Sequence, residues 1–186
     1  SELDMDGLQE DEVKISTIPM PKLIELGPEP QFSPIQPKDF IYKPTWNVVV
    51  DLEFPHIDVY QTTYFPEHNL PYYRATLTGS RLAVEYIEEP EDFFKDVQQI
   101  MNAFGITAYV GKEYRNHKME FGKIIPIDEA TRHQVIRWFT GKYQCFSLGR
   151  FATWRQILLD DVVNDVKVIE RLIDADPYTR ALVEAK

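Results

Sequence analysis

Between residues 130 and 159 the chain has no Asp or Glu, yet it holds Arg132, Arg137, Lys142, Arg150 and Arg155, with His133 beside them. The whole sequence leans the other way, with 30 acidic against 20 basic residues and a formal net charge of -10. Such segregation points to an anionic ligand of limited size, a phosphate or a carboxylate. For Arg132 and Arg137 a solvated helix face accounts for the charges equally well. Arg150 is better placed. It follows Gly149 at the end of a predicted strand and precedes a loop entering a helix at Asp160-Asp161. A strand end, a glycine that allows close backbone approach, a guanidinium fork and a helix N-terminus together suit a phosphate or dinucleotide. Asp160 or Asp161 either caps that helix or accepts hydrogen bonds from ribose-type hydroxyls.

A second set lies upstream. Tyr60, Tyr64, Tyr72, Tyr73 and Arg74 fall on predicted strands. Aromatic-rich antiparallel strands ordinarily form a sheet surface against a core. Arg74, beside two tyrosines, is the expected exception, because a guanidinium there can clamp a substrate carboxylate or phosphate. His56, His68, His117 and His133 show no ligand spacing, and the single cysteine, Cys145, reads as a buried thiol in an apolar strand. No metal site is expected from them. There is no Gly-x-Ser-x-Gly elbow.

The elements that must hold these residues read as α+β. Val13–Ile18 is a short strand closed by Pro19 and Pro21, with no preceding partner. Either it pairs with later strands or its sheet belongs to a segment outside this chain. Residues 19–45 are a proline-rich connector with a short helix over Lys22–Leu26. Asn47–Phe54, His56–Thr63, Tyr72–Thr78 and Arg81–Ile87 then predict a four-stranded antiparallel meander, the last pair closed by Gly79-Ser80. Glu88–Asp92 opens a helix carrying Phe93, Phe94, Val97, Ile100, Met101 and Phe104 to a stop at Gly105. Ile106–Val110 and Lys118–Ile127 are extended, and Asp128 caps a helix running to about Thr140, with Gly141 as its stop. Tyr143–Leu148 is a strand. A final periodic helix carries Val162, Val163, Val166, Ile169, Leu172 and Ile173, and Asp176-Pro177 restarts a last short one.

Length and composition bound what this can be. At 186 residues, 44% hydrophobic and 13% aromatic, the chain builds a packed core of one domain, or two small ones. Its negative charge weighs against duplex DNA and anionic membranes. No apolar run approaches the roughly 20 residues of a membrane span. The start shows no signal peptide, so the cytoplasm is the expected location.

Gly149-Arg150-Phe151-Ala152-Thr153-Trp154, followed by Leu159-Asp160-Asp161, resembles the C-terminal FAD signature of the UDP-galactopyranose mutase and protoporphyrinogen oxidase-like flavoproteins, an amine oxidase-like group. Upstream, Ile125-Pro126-Ile127 resembles a segment those proteins carry before the signature. Tyr60–Tyr64 and Leu70–Arg74 look like their substrate-domain strands, and Ile15–Pro19 like the strand returning to the dinucleotide-binding domain. The likeness covers residues 13 to 175 and is strongest at 143–165. It implies FAD as cofactor, with Gly149 and Arg150 at the pyrophosphate, Asp160 at the ribityl hydroxyls, and the backbone N–H groups near Asp161-Val162 at the flavin pyrimidine edge. Leu159 belongs to the same signature. Trp154 would lie by the isoalloxazine or line the substrate cleft, or serve as a core aromatic. Tyr60, Tyr73 and Arg74 would meet the substrate.

Two departures qualify the resemblance. No three of the eight glycines form G-x-G-x-x-G, so the likeness is to the C-terminal half of such a protein. Gln156 stands where the mutases tend to carry a Tyr, which weighs against the mutase reaction itself. The implied organisation is an acidic start, returning strand and connector at 1–45, a substrate-domain sheet with one helix at 46–127, and a C-terminal FAD-binding segment at 128–186. The implied partners are an N-terminal ADP-binding half, from a separate or cleaved chain, and a small anionic substrate. Ser1 in place of an initiator Met and the partnerless first strand favour that reading. A non-catalytic module that kept the fold and binds an anionic ligand or a protein is the second reading. Action on a modified nucleic-acid base is a third.

Overall fold

The computed structural model of the chain describes residues 13–27, 35–53 and 60–175. They divide into two units, one spanning 42–123 and the other drawn from residues before 42 and after 123. Phe54, the expected strand residues 56–59 and the last helix at Asp176-Pro177 lie outside the described residues. The architecture is α+β.

The 42–123 unit is a five-stranded antiparallel sheet with one helix. Its strands are β2 (Tyr42–Glu53), β3 (Tyr60–Tyr64), β4 (Tyr72–Thr78), β5 (Arg81–Tyr86) and β6 (Val110–Ile124), in spatial order β3-β4-β5-β2-β6. Its helix, α2, spans Phe93–Ala103. The order corrects the simple meander, since β2 pairs with β5 (Val48↔Val84, Val50↔Leu82) and not with β3. Burial explains the choice. Val48, Val50, Leu52, Leu82, Val84 and Tyr86 make one apolar face with Ala75 and Leu77, and it packs on Val97, Ile100 and Met101 of α2. β3, reading Tyr-Gln-Thr-Thr-Tyr, has little to bury and takes the edge.

Two boundaries in this unit also differ from expectation. α2 begins at Phe93, so Glu88–Glu91 precede it, and Asp92 caps it by accepting from the Lys95 N–H at 3.2 Å. The two extended pieces expected at 106–110 and 118–127 are replaced by the single strand β6. Its middle, Gly-Lys-Glu-Tyr-Arg-Asn-His, is largely exposed, with Tyr114 against Phe93 and Phe94 of α2, and shows no alternation in sequence. The strand is hydrogen-bonded beside β2, with the Tyr42 and Phe121 rings 4.5 Å apart and the Asn47 amide donating to Met119 Sδ at 2.9 Å, and exposed ion pairs join the strands at Arg115–Asp51 (2.8 Å) and Lys112–Glu53 (3.1 Å).

In the other unit, β1 (Lys14–Ser16) pairs in parallel with β7 (Cys145–Ser147), so the first strand does find its partner later in the chain. α1 spans Met20–Leu26, with Pro21 in the first turn where its missing N–H costs nothing. α3 spans Glu129–Tyr143 under an Asp128 cap. It runs through Gly141, and Gln144 ends it at φ 49°. α4 spans Leu159–Asp174. Of its expected apolar face, Ile169 and Leu172 are buried and Ile173 packs beside them, against Phe146 and Leu148 of the β7 region. Val163 and Val166 remain exposed. Among the described residues, no helix is long and apolar enough to cross a membrane, and no group of His, Cys, Asp and Glu is placed to hold a metal ion.

Gly122 on β6 is held to glycine by packing, since a Cβ there would overlap the Thr45 side chain. Thr45 is buried and cannot move aside. Gly122→Ala is therefore expected to cost about 1–3 kcal/mol, read as a lower denaturation midpoint at constant m. A midpoint within error of the parent would mean that the two strands separate without cost.

Candidate functional site

The exposed face of the sheet carries the first candidate set. β3 and β4 pair in register, with Tyr60 opposite Thr78, Thr62 opposite Thr76 and Tyr64 opposite Arg74. The Thr62 and Thr76 hydroxyls are 3.1 Å apart. Tyr60 is 77% exposed. Tyr72, by contrast, points into the core against Phe65 and Tyr86.

Strict alternation would put Tyr73 and Arg74 on opposite faces. A register shift between Tyr72 and Arg74 breaks the alternation, as a bulge does when it re-aims a side chain. Both residues then reach Glu85 of β5. The Tyr73 hydroxyl donates to Glu85 Oε2 at 2.5 Å, and Arg74 donates through Nε to Oε1 at 2.7 Å and again through Nη2. Arg74 Nη1 lies 3.4 Å from the Tyr64 hydroxyl, and the Lys123 ammonium sits 4.2 Å from the Tyr73 ring centroid. Burial pushes the Tyr73 phenol well above its ordinary range, and the bond to Glu85 adds to that. Arg74, expected as a clamp for a substrate anion, thus already holds a carboxylate of its own. Glu85 and Tyr64 complete the cluster. Glu85 was signalled only by its register opposite Arg74, which the sequence does not display.

The second set is the turn from β7 into α4. Gly149 adopts φ 90°, with nothing within 4 Å of where a Cβ would stand. Arg150 lies in the turn with its guanidinium 5.6 Å from the Phe151 ring centroid. Its Nε is buried and has no hydrogen-bond partner among the described residues. Neither Asp160 nor Asp161 is the residue preceding α4. That position is Leu158, and Asp161 reaches back to accept its N–H at 2.9 Å. Asp160 is exposed. Val162 N–H bonds the Leu158 carbonyl at 3.3 Å, so the open donors of this helix end are those of Leu159 to Asp161, not Val162.

Trp154 sits within the turn, packed into the core. It is 0% exposed, packs edge-on against Phe40 at 5.0 Å and donates from Nε1 to the Ile125 carbonyl at 2.8 Å. Its φ of 48° makes it a fixed corner of the turn. Gln156 donates to the Ile124 carbonyl at 3.3 Å, an anchoring role. The two candidate sets belong to different units, Tyr60, Tyr73 and Arg74 to 42–123 and Gly149 to Val162 to the other.

A cavity of about 780 Å³ also opens in the sheet unit, lined by Glu88, Glu89, Asp92 and Asp96 with Lys43 and Lys95. Asp96 is 7% exposed, and burial raises its pKa despite the Tyr86 phenol beside it.

No family model and no curated protein matches this sequence. A crystal structure from Exiguobacterium sp. 255-15, provisionally assigned as a protoporphyrinogen oxidase, is similar in fold, with a TM-score of 0.53 at 12% identity. The match covers 86% of this chain and 40% of that one, so the chain spans about two fifths of that structure's length.

Two measurements check these geometries. Glu85→Gln should lower the Tyr73 pKa toward that of an ordinary phenol, read by NMR titration of ring-labelled tyrosine, because a charged acceptor holding the phenolic proton is gone. An unmoved Tyr73 would separate it from Glu85. Asp96 has a folded pKa above its unfolded one, so its carboxylate costs stability that appears as pH rises from about 4. Asp96→Asn should therefore stabilise the protein at pH 7 and lose that advantage in acid. Equal gains at both pH values would argue against the titration.

Proposed function

We propose that this chain is the C-terminal part of an FAD-dependent enzyme, an oxidoreductase or mutase-like flavoenzyme of the amine oxidase-like group. Its ADP-binding half would come from an N-terminal partner segment. The observation that carries the reading is the orphaned Nε of Arg150, buried in a glycine turn just before the open N-terminus of α4. An exposed or fully paired arginine would need no ligand. A buried donor without an acceptor costs roughly 1–3 kcal/mol, which a phosphate oxygen would relieve.

The residues present fit the group. Arg150 would fork onto pyrophosphate oxygens, and Gly149 leaves room for the backbone to approach them. The N–H groups of Leu159 to Asp161 and the α4 dipole favour negative charge at the helix start. The exposed carboxylate of Asp160 would accept from ribityl hydroxyls. Electron and hydride transfer would be supplied by the flavin. In the sheet unit, Tyr60, Tyr73 and Arg74 would orient a small anionic substrate, which would have to compete with Glu85 for the Arg74 guanidinium.

Two surfaces support an N-terminal half as partner. The β1–β7 sheet has two parallel strands of three residues each, whereas parallel sheets are ordinarily larger and buried on both faces. Ile15 on its first strand is 54% exposed, and on α4 Leu159 is 84% exposed with Val163 open beside it. Added parallel strands and helices would cover both.

The test is a visible absorption spectrum of the protein from its native source, with gel bands identified by mass. Flavin absorption together with a segment containing G-x-G-x-x-G is expected. A colourless protein with a single band overturns the reading in favour of a binding module. In the complex, Arg150→Ala should weaken flavin retention about tenfold to a hundredfold, the worth of one charged hydrogen bond, while circular dichroism stays unchanged. Full retention would remove Arg150 from the site.

A further inference from the structure

A recess of about 180 Å³ opens between α3, β7 and α4, apart from Gly149, Arg150 and Asp160. Its polar wall is Arg132, His133, Arg137 and Arg155, with Asp165 as its acid. Its floor is Ile136, Phe146, Val168, Ile169 and Leu172. The basic stretch noted in the sequence thus converges in space, because 132, 133, 136 and 137 share one side of α3.

The wall is built, not splayed into solvent. Arg132 is 5% exposed and donates to Glu129 through Nε at 3.2 Å and through Nη2. Its Nη2 also lies 2.9 Å from His133 Nε2. An arginine only donates, so in this contact the imidazole nitrogen accepts, and Glu129 Oε1 lies 3.4 Å from the same nitrogen. Arg155 donates from Nε to the Thr153 hydroxyl at 3.2 Å and from Nη2 to Asp165. The His133 pKa is pushed down first by burial and then by Arg132, and Arg137 and Arg155 add to this while Glu129 alone opposes it. Three guanidinium fields therefore meet at one imidazole in a protein of net charge -10.

We propose that this recess binds a small amphiphilic oxyanion, a carboxylate or phosphate monoester on a compact apolar group. Its head lies against Arg137 and Arg155 and its tail on Ile136, Phe146 and Val168. Guanidinium groups take either head in the same forked geometry. The volume is that of about six waters, or slightly more than a cavity that accepts benzene, which limits the tail to about one ring. Bound negative charge offsets the arginine field at His133. The imidazole then takes up a proton more readily, and by linkage the anion binds more tightly as pH falls.

The experiment is an NMR titration of the full-length, isotope-labelled protein with benzoate and with phenyl phosphate, and with benzylamine as the cationic control. Either anion should shift residues of α3, Ser147 and Arg155 saturably, with a Kd of about 1 mM or tighter at low salt, and should raise the His133 pKa. The tighter of the two names the head group. Val168→Phe fills the floor without changing charge, at a position 42% exposed where the extra volume is tolerated, and should weaken binding about tenfold. Arg137→Gln should weaken it as well. No saturation with either anion by about 20 mM, equal shifts with benzylamine, or undiminished binding in folded Val168→Phe overturns the proposal. None of these readouts involves flavin, so the result stands apart from the reading of the Arg150 turn.

Discussion

The parallel pairing of Lys14–Ser16 with Cys145–Ser147 is the constraint on which the C-terminal geometry depends. It brings together segments from near the two ends of the described chain, with the Lys14 ammonium on the Tyr143 carbonyl 129 residues away. Closing so long a loop costs only slightly more than closing one half its length, about 0.6 kcal/mol, so a short pair suffices if packing holds it. Packing does. Met20 N–H bonds the Phe151 carbonyl at 3.0 Å, tying α1 to the turn that follows β7, and Trp154 closes that turn from inside the core. Gly149, Arg150 and the start of α4 inherit their positions from this frame.

The sheet unit obeys a different constraint. Its apolar face is settled by β2, β4 and β5 packing on α2, and everything polar is sent to the other face or to the edges. One irregularity departs from this simple alternation. The register shift after Tyr72 turns a core tyrosine, a half-buried tyrosine and an arginine, consecutive in sequence, into two outward groups that share one carboxylate. A bulge at such a place redirects side chains without disturbing the strands on either side.

Much of the secondary structure was legible because its signals are local. Gly79-Ser80 marked the hairpin between β4 and β5, Asp128 marked the start of α3, and the spacing of Val97, Ile100 and Met101 marked the buried side of α2. The long strand β6 was not legible, because most of it is exposed and shows no alternation, and its contacts with Tyr42, Thr45 and Asn47 of β2 join residues about 70 to 80 positions apart in sequence. The end of α3 was missed for a related reason: Gly141 is a plausible stop, but the last turn continues to Tyr143 and Gln144 takes the left-handed position instead.

By itself, the sequence determined which residues are chemically capable: an acid-free arginine stretch, a glycine–arginine step before a helix, and two tyrosines just before Arg74. These follow from residue type and spacing within a few positions, which the covalent chain fixes. Only the tertiary structure decided how they are used. It buried Trp154, set Asp161 back onto Leu158, committed Arg74 to Glu85, and gathered Arg132, Arg137 and Arg155 around one recess. The reason is that burial and pairing depend on which distant segments meet, and hydrogen-bond partners from another strand or helix are not encoded in any local pattern.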